Sequence, residues 1–172
     1  MKNFELKETS LDLVPAICEF RDEMTAHGEK VWDGYYPTLN EDSKAYVERI
    51  LRRREKPDGD FVPETLLWAM HAGKALGRIA LRHYLEGNLH QFGGQIGYEV
   101  RPSARKQGIA TTMLKEVLLM PKSREIGKLL LTCAPDNIAS NKTILSNAGI
   151  LTQTIFIDFL NAKRNHYWID LT

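Results

Sequence analysis

Residues Ile96 to Met120 read IGYEVRPSARKQGIATTMLKEVLLM, and no other stretch limits the fold as much. IGYEV is short and strand-like. After Gly108 the pattern is helical, with Ile109, Ala110, Met113, Leu114, Val117 and Leu118 in two adjacent rows spaced by four. A strand therefore passes through a basic, glycine-containing turn into a helix that starts near Gln107 or Gly108. The first four N–H groups of a helix lack partners inside it, and the macrodipole adds about half a positive charge there. Arg105 and Lys106 add full charges, Gly108 lets a ligand approach the backbone, and Thr111 offers a hydroxyl. That set suits a phosphate or pyrophosphate. It equally describes a plain helix start with solvated basic residues. The turn has neither the lysine–serine pair of a Walker loop nor the three glycines of a dinucleotide fingerprint.

The remaining elements follow from periodicity and breakers. Phe4 to Lys7 predicts a first strand. Leu11 to His27 predicts a helix on Leu13, Val14, Ile17, Phe20 and Met24. A second helix, capped by Asn40 or Ser43, would bury Tyr46, Val47, Ile50 and Leu51. After KPDGD, Lys56 to Asp60, two strands join at a tight turn from His71 to Lys74, and QIGYEV is a third. Pro121 should kink or end the long helix near Met120. KLLLTCA, Lys128 to Ala134, reads as a buried central strand. A helix from Asn137 would end at Gly149 as its C-cap, and two alternating strands, TQTIFIDFL and RNHYWIDL, close the chain. Strand runs broken by helices predict a mixed α/β sheet.

Composition narrows the function. A chain of 172 residues has one domain as its natural prior. A net charge of +1 gives no reason to expect a nucleic-acid partner. No apolar run approaches the ~20 residues needed to span a membrane. MKNFELKETS lacks the apolar core of a signal peptide, so a cytoplasmic protein is expected. Cys18 and Cys133 form no CxxC pair and are expected to be reduced. The five histidines show no metal-ligand spacing, and no metal is expected.

The run VRPSARKQGIA, Val100 to Ala110, resembles motif A of the GNAT acetyltransferase superfamily. That motif reads V-x-P, two residues, R or Q, two residues, G, one residue, then G or A. Val100, Pro102, Arg105, Gly108 and Ala110 fill its slots. DNIASNKTILSNAG, Asp136 to Gly149, is similar to the family's strand-to-helix signature. The element order matches along nearly the whole chain, though the first sixty residues match in order only. GGQIGYEVRP and HYWIDL resemble one branch of predicted acetyltransferases in particular.

The resemblance implies one GNAT domain over residues 1–172, with a mostly antiparallel sheet of about seven strands and about four helices. It implies acetyl-coenzyme A, its pyrophosphate on the amides of Lys106, Gln107, Gly108, Ile109 and Ala110, beside Arg105 and Thr111. The sheet would split after Val100 from the strand Lys128 to Ala134. Pantetheine would then lie along Tyr98, Val100 and Arg101, reaching Asn137, Ser140 and Asn141. An amide-rich arm satisfies unpaired edge N–H and C=O groups as a pseudo-strand.

Acetyl transfer to an amine needs a held thioester, a neutral amine, a stabilised oxyanion and a proton for the leaving thiolate. An alkylamine of pKa ~10.4 is rarely neutral at pH 7, so a base or a desolvating pocket helps. By resemblance the Val100 N–H would polarise the thioester carbonyl. The family often places its acidic tyrosine in the helix after the asparagine, and Asn137 to Gly149 contains none. Tyr98, two residues before Val100 on the same strand face, is the first substitute. Ser146 and Tyr167 follow, and solvent is a further proton source. Glu99 alternates to the other face and is a lesser candidate base. On the acceptor side, Trp32, Tyr35 and Tyr36 either form an aromatic lid or anchor their own loop, and His83 ends a strand. The expected activity is direct transfer to the amine of a small molecule or peptide. The alternative is a non-catalytic CoA-binding sensor or interaction module. The sequence is compatible with a homodimer.

Overall fold

The computed structural model describes residues 3–31, 34–57, 59 and 61–172. Its strands are β1 (Glu5–Glu8), β2 (Glu64–His71), β3 (Lys74–Arg82), β4 (Ile96–Val100), β5 (Lys128–Cys133), β6 (Ile150–Ile157) and β7 (Ala162–Asp170). Its helices are α1 (Val14–Ala26), α2 (Ser43–Arg52), α3 (Ile109–Leu118), α4 (Pro121–Ile126) and α5 (Ile138–Leu145). The α/β class holds, with the seven strands divided between a sheet ordered β1-β2-β3-β4 and another ordered β5-β7-β6. Among the described residues five helices stand where about four were expected. Proline has no N–H to donate but fits the first turn of a helix. So α3 ends at Leu118, Met120 is extended, and Pro121 opens α4.

Backbone packing groups the chain into two compact units, 1–79 with 98–110, and 80–97 with 111–172. In the first, β1 pairs antiparallel with β2, Glu5 opposite Met70 and Glu8 opposite Leu67. The β2–β3 turn consists of Ala72 and Gly73, with φ of 47° and 76°. Two left-handed central residues match the right-handed twist of the strands they join. Trp68 of β2 meets Phe20 of α1 and Tyr36 edge to face, its ring centred 5.6 Å from Phe20 and 5.9 Å from Tyr36, while Phe20 and Tyr36 stack on each other at 6.1 Å. The cap of α2 is Asp42, not Asn40 or Ser43: its Oδ2 accepts from the N–H of Lys44 at 2.9 Å and of Ala45 at 3.2 Å. Tyr46, Val47 and Ile50 are buried as expected, whereas Leu51 is exposed.

In the second unit β7 is the middle strand, pairing Tyr167 with Leu131 on one side and Arg164 with Ile155 on the other. β5 is buried at Leu129, Leu130 and Leu131, but it is an edge strand of its sheet rather than a central one. A local lock explains the burial. The Gln95 N–H donates to Leu130 O at 2.7 Å, and the Leu130 N–H returns a bond to Gln95 Oε1 at 2.6 Å. A Cβ on Gly94 would sit 2.3 Å from Leu130 O, so only glycine permits this approach. The end of α5 also differs from expectation. Ala148, not Gly149, takes the left-handed conformation, φ 62°. Gly149 is needed for space: its Cβ would lie 2.3 Å from Ile144 Cγ2.

Candidate functional site

The turn before α3 is shaped by its backbone. Lys106 and Gly108 are left-handed, φ 60° and 76°, with Gln107 between them. Alternating backbone hand turns successive N–H groups into one anion-binding concavity. The first-turn amides of α3, which have no partners within the helix, follow directly. Lys106 and Gly108 are exposed, Gln107 and Ala110 half-buried, and Ile109 is buried. The helix thus begins at Ile109, one or two residues after the Gln107 or Gly108 that the apolar rows suggested.

The two arginines of the turn are engaged by α1 and the residues after it. Arg101 donates from Nε to Glu23 Oε2 at 2.6 Å and from Nη1 to Ala75 O at 3.2 Å. The Ser103 N–H donates to Glu23 Oε1 at 2.7 Å. Burial alone would raise the Glu23 carboxyl, but the bonds from Arg101 and Ser103 hold it at about 2. A depressed folded-state value means the stabilisation is full above the ordinary carboxylate range and is lost only as pH falls towards 2. Arg105 donates to Val100 O at 3.1 Å and pairs with Glu29 at 2.7 Å. The Arg105 bond keeps the Glu29 carboxyl below its usual value.

β4 supplies an edge strand of its sheet. The Arg101 N–H pairs with Leu76 O of β3 at 3.0 Å. Strand amides point to alternate edges, so those of Tyr98 and Val100 point away from β3. Among the described residues β4 is the last strand of its sheet. Tyr98 and Val100 are half-buried.

On the opposite face of β4, Glu99 belongs to a buried polar network whose residues the sequence reading placed only partly. Its Oε2 accepts from Tyr36 Oη at 2.6 Å and from Arg78 Nε at 2.9 Å. The Arg78 guanidinium also sits 4.0 Å from the centre of the Tyr35 ring. Tyr35 Oη donates to Glu64 Oε2 at 2.9 Å, and Glu64 pairs with Arg53. Burial pushes the Tyr36 phenol above its ordinary value. Tyr35 and Tyr36 are 5% and 3% exposed, so both act as interior anchors of their loop. Trp32 lies outside the described residues. A sequence signal was present: Arg78 and Glu99 are charges flanked by apolar residues within their strands, and such charges need partners.

The other candidates lie in the second unit. Asn137 caps α5, its Oδ1 accepting the Ser140 N–H at 3.0 Å. Asn141 is a hub: Oδ1 accepts from Tyr167 Oη and from Asn165 Nδ2 at 2.9 Å, while Nδ2 donates to Ala134 O at 3.1 Å and Asn137 O at 2.8 Å. Its amide therefore ties α5 to β5 and β7. Ser146 is the exposed C-cap of α5, and His83 is half-buried just beyond β3. The Thr111 carbonyl accepts from Asn147 Nδ2 at 3.2 Å. Burial pushes the Cys133 thiol up, which suits a core residue rather than a nucleophile. Among the described residues no helix is long and apolar enough to cross a membrane.

Asn137 offers a direct check. As a cap alone, Asn137→Ala would cost about 1 kcal/mol of stability and leave ligand kinetics untouched. Its exposed amide has capacity beyond the cap bond. We expect the variant to raise the Michaelis constant for acetyl-CoA more than it lowers the melting temperature. Unchanged acetyl-CoA kinetics beside a clear melting shift would leave only the cap.

Comparison with known proteins bears on the family and the fold. No curated protein matches. Solved structures share the fold. The Salmonella typhimurium acetyltransferase that modifies the N-terminal serine of ribosomal protein L7/L12 superposes with a TM-score of 0.68 at 20% identity, over 100% of this chain and 97% of that one. The microcin C7 self-immunity acetyltransferase MccE, solved with acetyl-CoA and AMP, gives 0.70 at 17% identity, over 99% and 93%. An N-acetyltransferase from Staphylococcus aureus Mu50 gives 0.66 at 15%, over 99% and 100%. At these identities the likeness speaks for the fold alone. The family model described as an acetyltransferase (GNAT) domain matches residues 4–149, most of the chain, and with it the protein is identified as a member of the GNAT acetyltransferase family.

Proposed function

We propose that residues 1–172 work as one acetyl-CoA-dependent N-acetyltransferase domain, acting in the cytoplasm on the amine of a small molecule or peptide. The observation that supports this is the left-handed pair Lys106 and Gly108, six and eight residues after the edge amide at Val100 and just before α3. Acetyl-CoA supplies the activated acetyl group as a thioester. The amides of Lys106 to Ala110 bind its pyrophosphate, with Lys106 and Arg105 as counter-charges. The Val100 N–H donates to the thioester oxygen as negative charge develops there. By the resemblance, Asn137 and Ser140 are contacts to the pantetheine arm. Arg101 and Asn141 have their side chains committed to the protein itself and serve by placing these neighbours. Transfer is direct. Tyr98 protonates the leaving thiolate, with Ser146 as the alternative donor.

The test is release of free thiol from acetyl-CoA across a panel of amines. A protein that binds CoA but gives no thiol with any amine would be a CoA-binding module, the reading favoured by the absence of a tyrosine from residues 137–149. Tyr98→Phe tests the acid. A positioned acid contributes ~10²–10⁴-fold, so turnover should fall at least about tenfold with CoA affinity nearly intact. Turnover at the parent rate would make Tyr98 a packing residue.

A further inference from the structure

Glu23 lies on α1, 78 residues before Arg101 and 80 before Ser103 in sequence. Its two oxygens serve different donors, a guanidinium and a backbone amide. Arg101 also reaches Ala75 O with its side chain and Leu76 O with its N–H. One carboxylate thus ties α1, β3 and the first residues of the phosphate turn. The pair is largely out of solvent, with side chains 11% and 18% exposed. Only Ala104 and Arg105 separate the held Ser103 amide from left-handed Lys106. Ala104 is itself buried and donates its N–H to Arg101 O at 2.9 Å, so there is little slack. The directions of the next amides are inherited from the segment that Glu23 holds.

We propose that Glu23 is a positioning residue for the cofactor turn. It touches no ligand, and it aims the amides of Lys106 to Ala110 by fixing Arg101 and Ser103. The inference rests on the acetyl-CoA reading above. Glu29 supplies the contrast. It meets the turn through the Arg105 side chain, in a pair 43% and 36% exposed, and among the described residues its carboxylate accepts from no N–H of the turn backbone.

Glu23→Gln separates these roles. A carboxylate accepts on both oxygens, whereas an amide accepts on one side and donates on the other. The site presents donors on both sides, so glutamine loses one bond and sets donor against donor. Small misplacements of positioning groups cost up to ~10²-fold, so we expect the CoA dissociation constant of the full chain, read by calorimetry, to rise at least about tenfold. Amide hydrogen exchange should accelerate over residues 101–110 while β2 keeps its parent protection. Glu29→Gln, which breaks only an exposed pair, should change CoA affinity less than about threefold. If Glu23→Gln does not fold, Glu23→Asp keeps the charge but is one methylene short of spanning both donors. It should weaken CoA by about threefold with the same local exchange pattern.

Parent-like CoA affinity in a folded Glu23 variant would overturn the proposal. So would exchange that accelerates throughout the first unit, or a Glu29→Gln loss as large as that of Glu23→Gln. If the parent protein itself does not bind CoA, the acetyl-CoA reading fails and this inference falls with it. A parent that binds beside an unaffected variant sinks the inference alone.

Discussion

Gly108→Val should abolish measurable CoA binding while leaving the fold in place. Gly108 has φ 76°, where a β-branched residue is a genuine outlier. Holding valine there would cost on the order of 1–3 kcal/mol, so the local backbone should relax out of the left-handed state. That relaxation rotates the amides on either side of residue 108 away from one another. The valine methyls would also stand where phosphate oxygens must approach the backbone. Gly108 is exposed, so the core loses nothing. We expect affinity to fall at least about a hundredfold, as misplaced positioning groups can cost that much. Calorimetry with CoA and a melting curve on the same sample check it. Normal affinity in a well-folded variant would remove the phosphate turn from the site.

Glu99→Ala is expected to be the most destabilising single change in the first unit. It strands the Arg78 guanidinium, whose side chain is 5% exposed, without its carboxylate, and leaves Tyr36 Oη with no acceptor. Removing one partner of a buried pair costs about 3–5 kcal/mol. For a chain of this length that is a melting shift on the order of 10 °C. The physical cause can be isolated with the double variant Arg78→Met, Glu99→Leu. Replacing both charges with apolar groups of similar volume is often close to neutral. The double variant should therefore recover most of the loss in urea or thermal unfolding. A double variant no more stable than Glu99→Ala would mean that lost packing, not the stranded charge, sets the cost.

What was readable in advance was local. The strand, turn and helix from Ile96 to Leu118 carry their geometry in their own residues: a glycine where φ must be positive, apolar rows at helical spacing, a proline that forbids continuation. The turn before α3 was legible for the same reason. What was not legible depends on pairs far apart in the chain. Glu23 is an unremarked acid on an amphipathic helix until Arg101 and Ser103 fold against it. Tyr35 and Tyr36 sit in a loop rich in glycine and proline, where aromatics suggest a lid. Glu64, Arg78 and Glu99 turn them inwards. Asn141 matched a cofactor slot by spacing, yet Tyr167 and Asn165 of β7 claim its oxygen. Asp42 was passed over for its neighbours because a cap is decided by backbone dihedrals, not by residue type alone.

The strand order β5-β7-β6 bears on how the polypeptide is made. A ribosome delivers β5 and β6 before β7, yet neither has a partner in that sheet until β7 emerges. β6 waits in particularly poor company. Ile150, Leu151 and Phe156 remain exposed even in the finished protein, and ILTQTIFI contains no charge or proline to discourage strangers. During synthesis the nascent chain therefore carries an adhesive, unpaired strand for as long as translation takes to reach Asp170. A chaperone that shields this segment, or a fast run of codons across residues 158–170, would shorten that exposure.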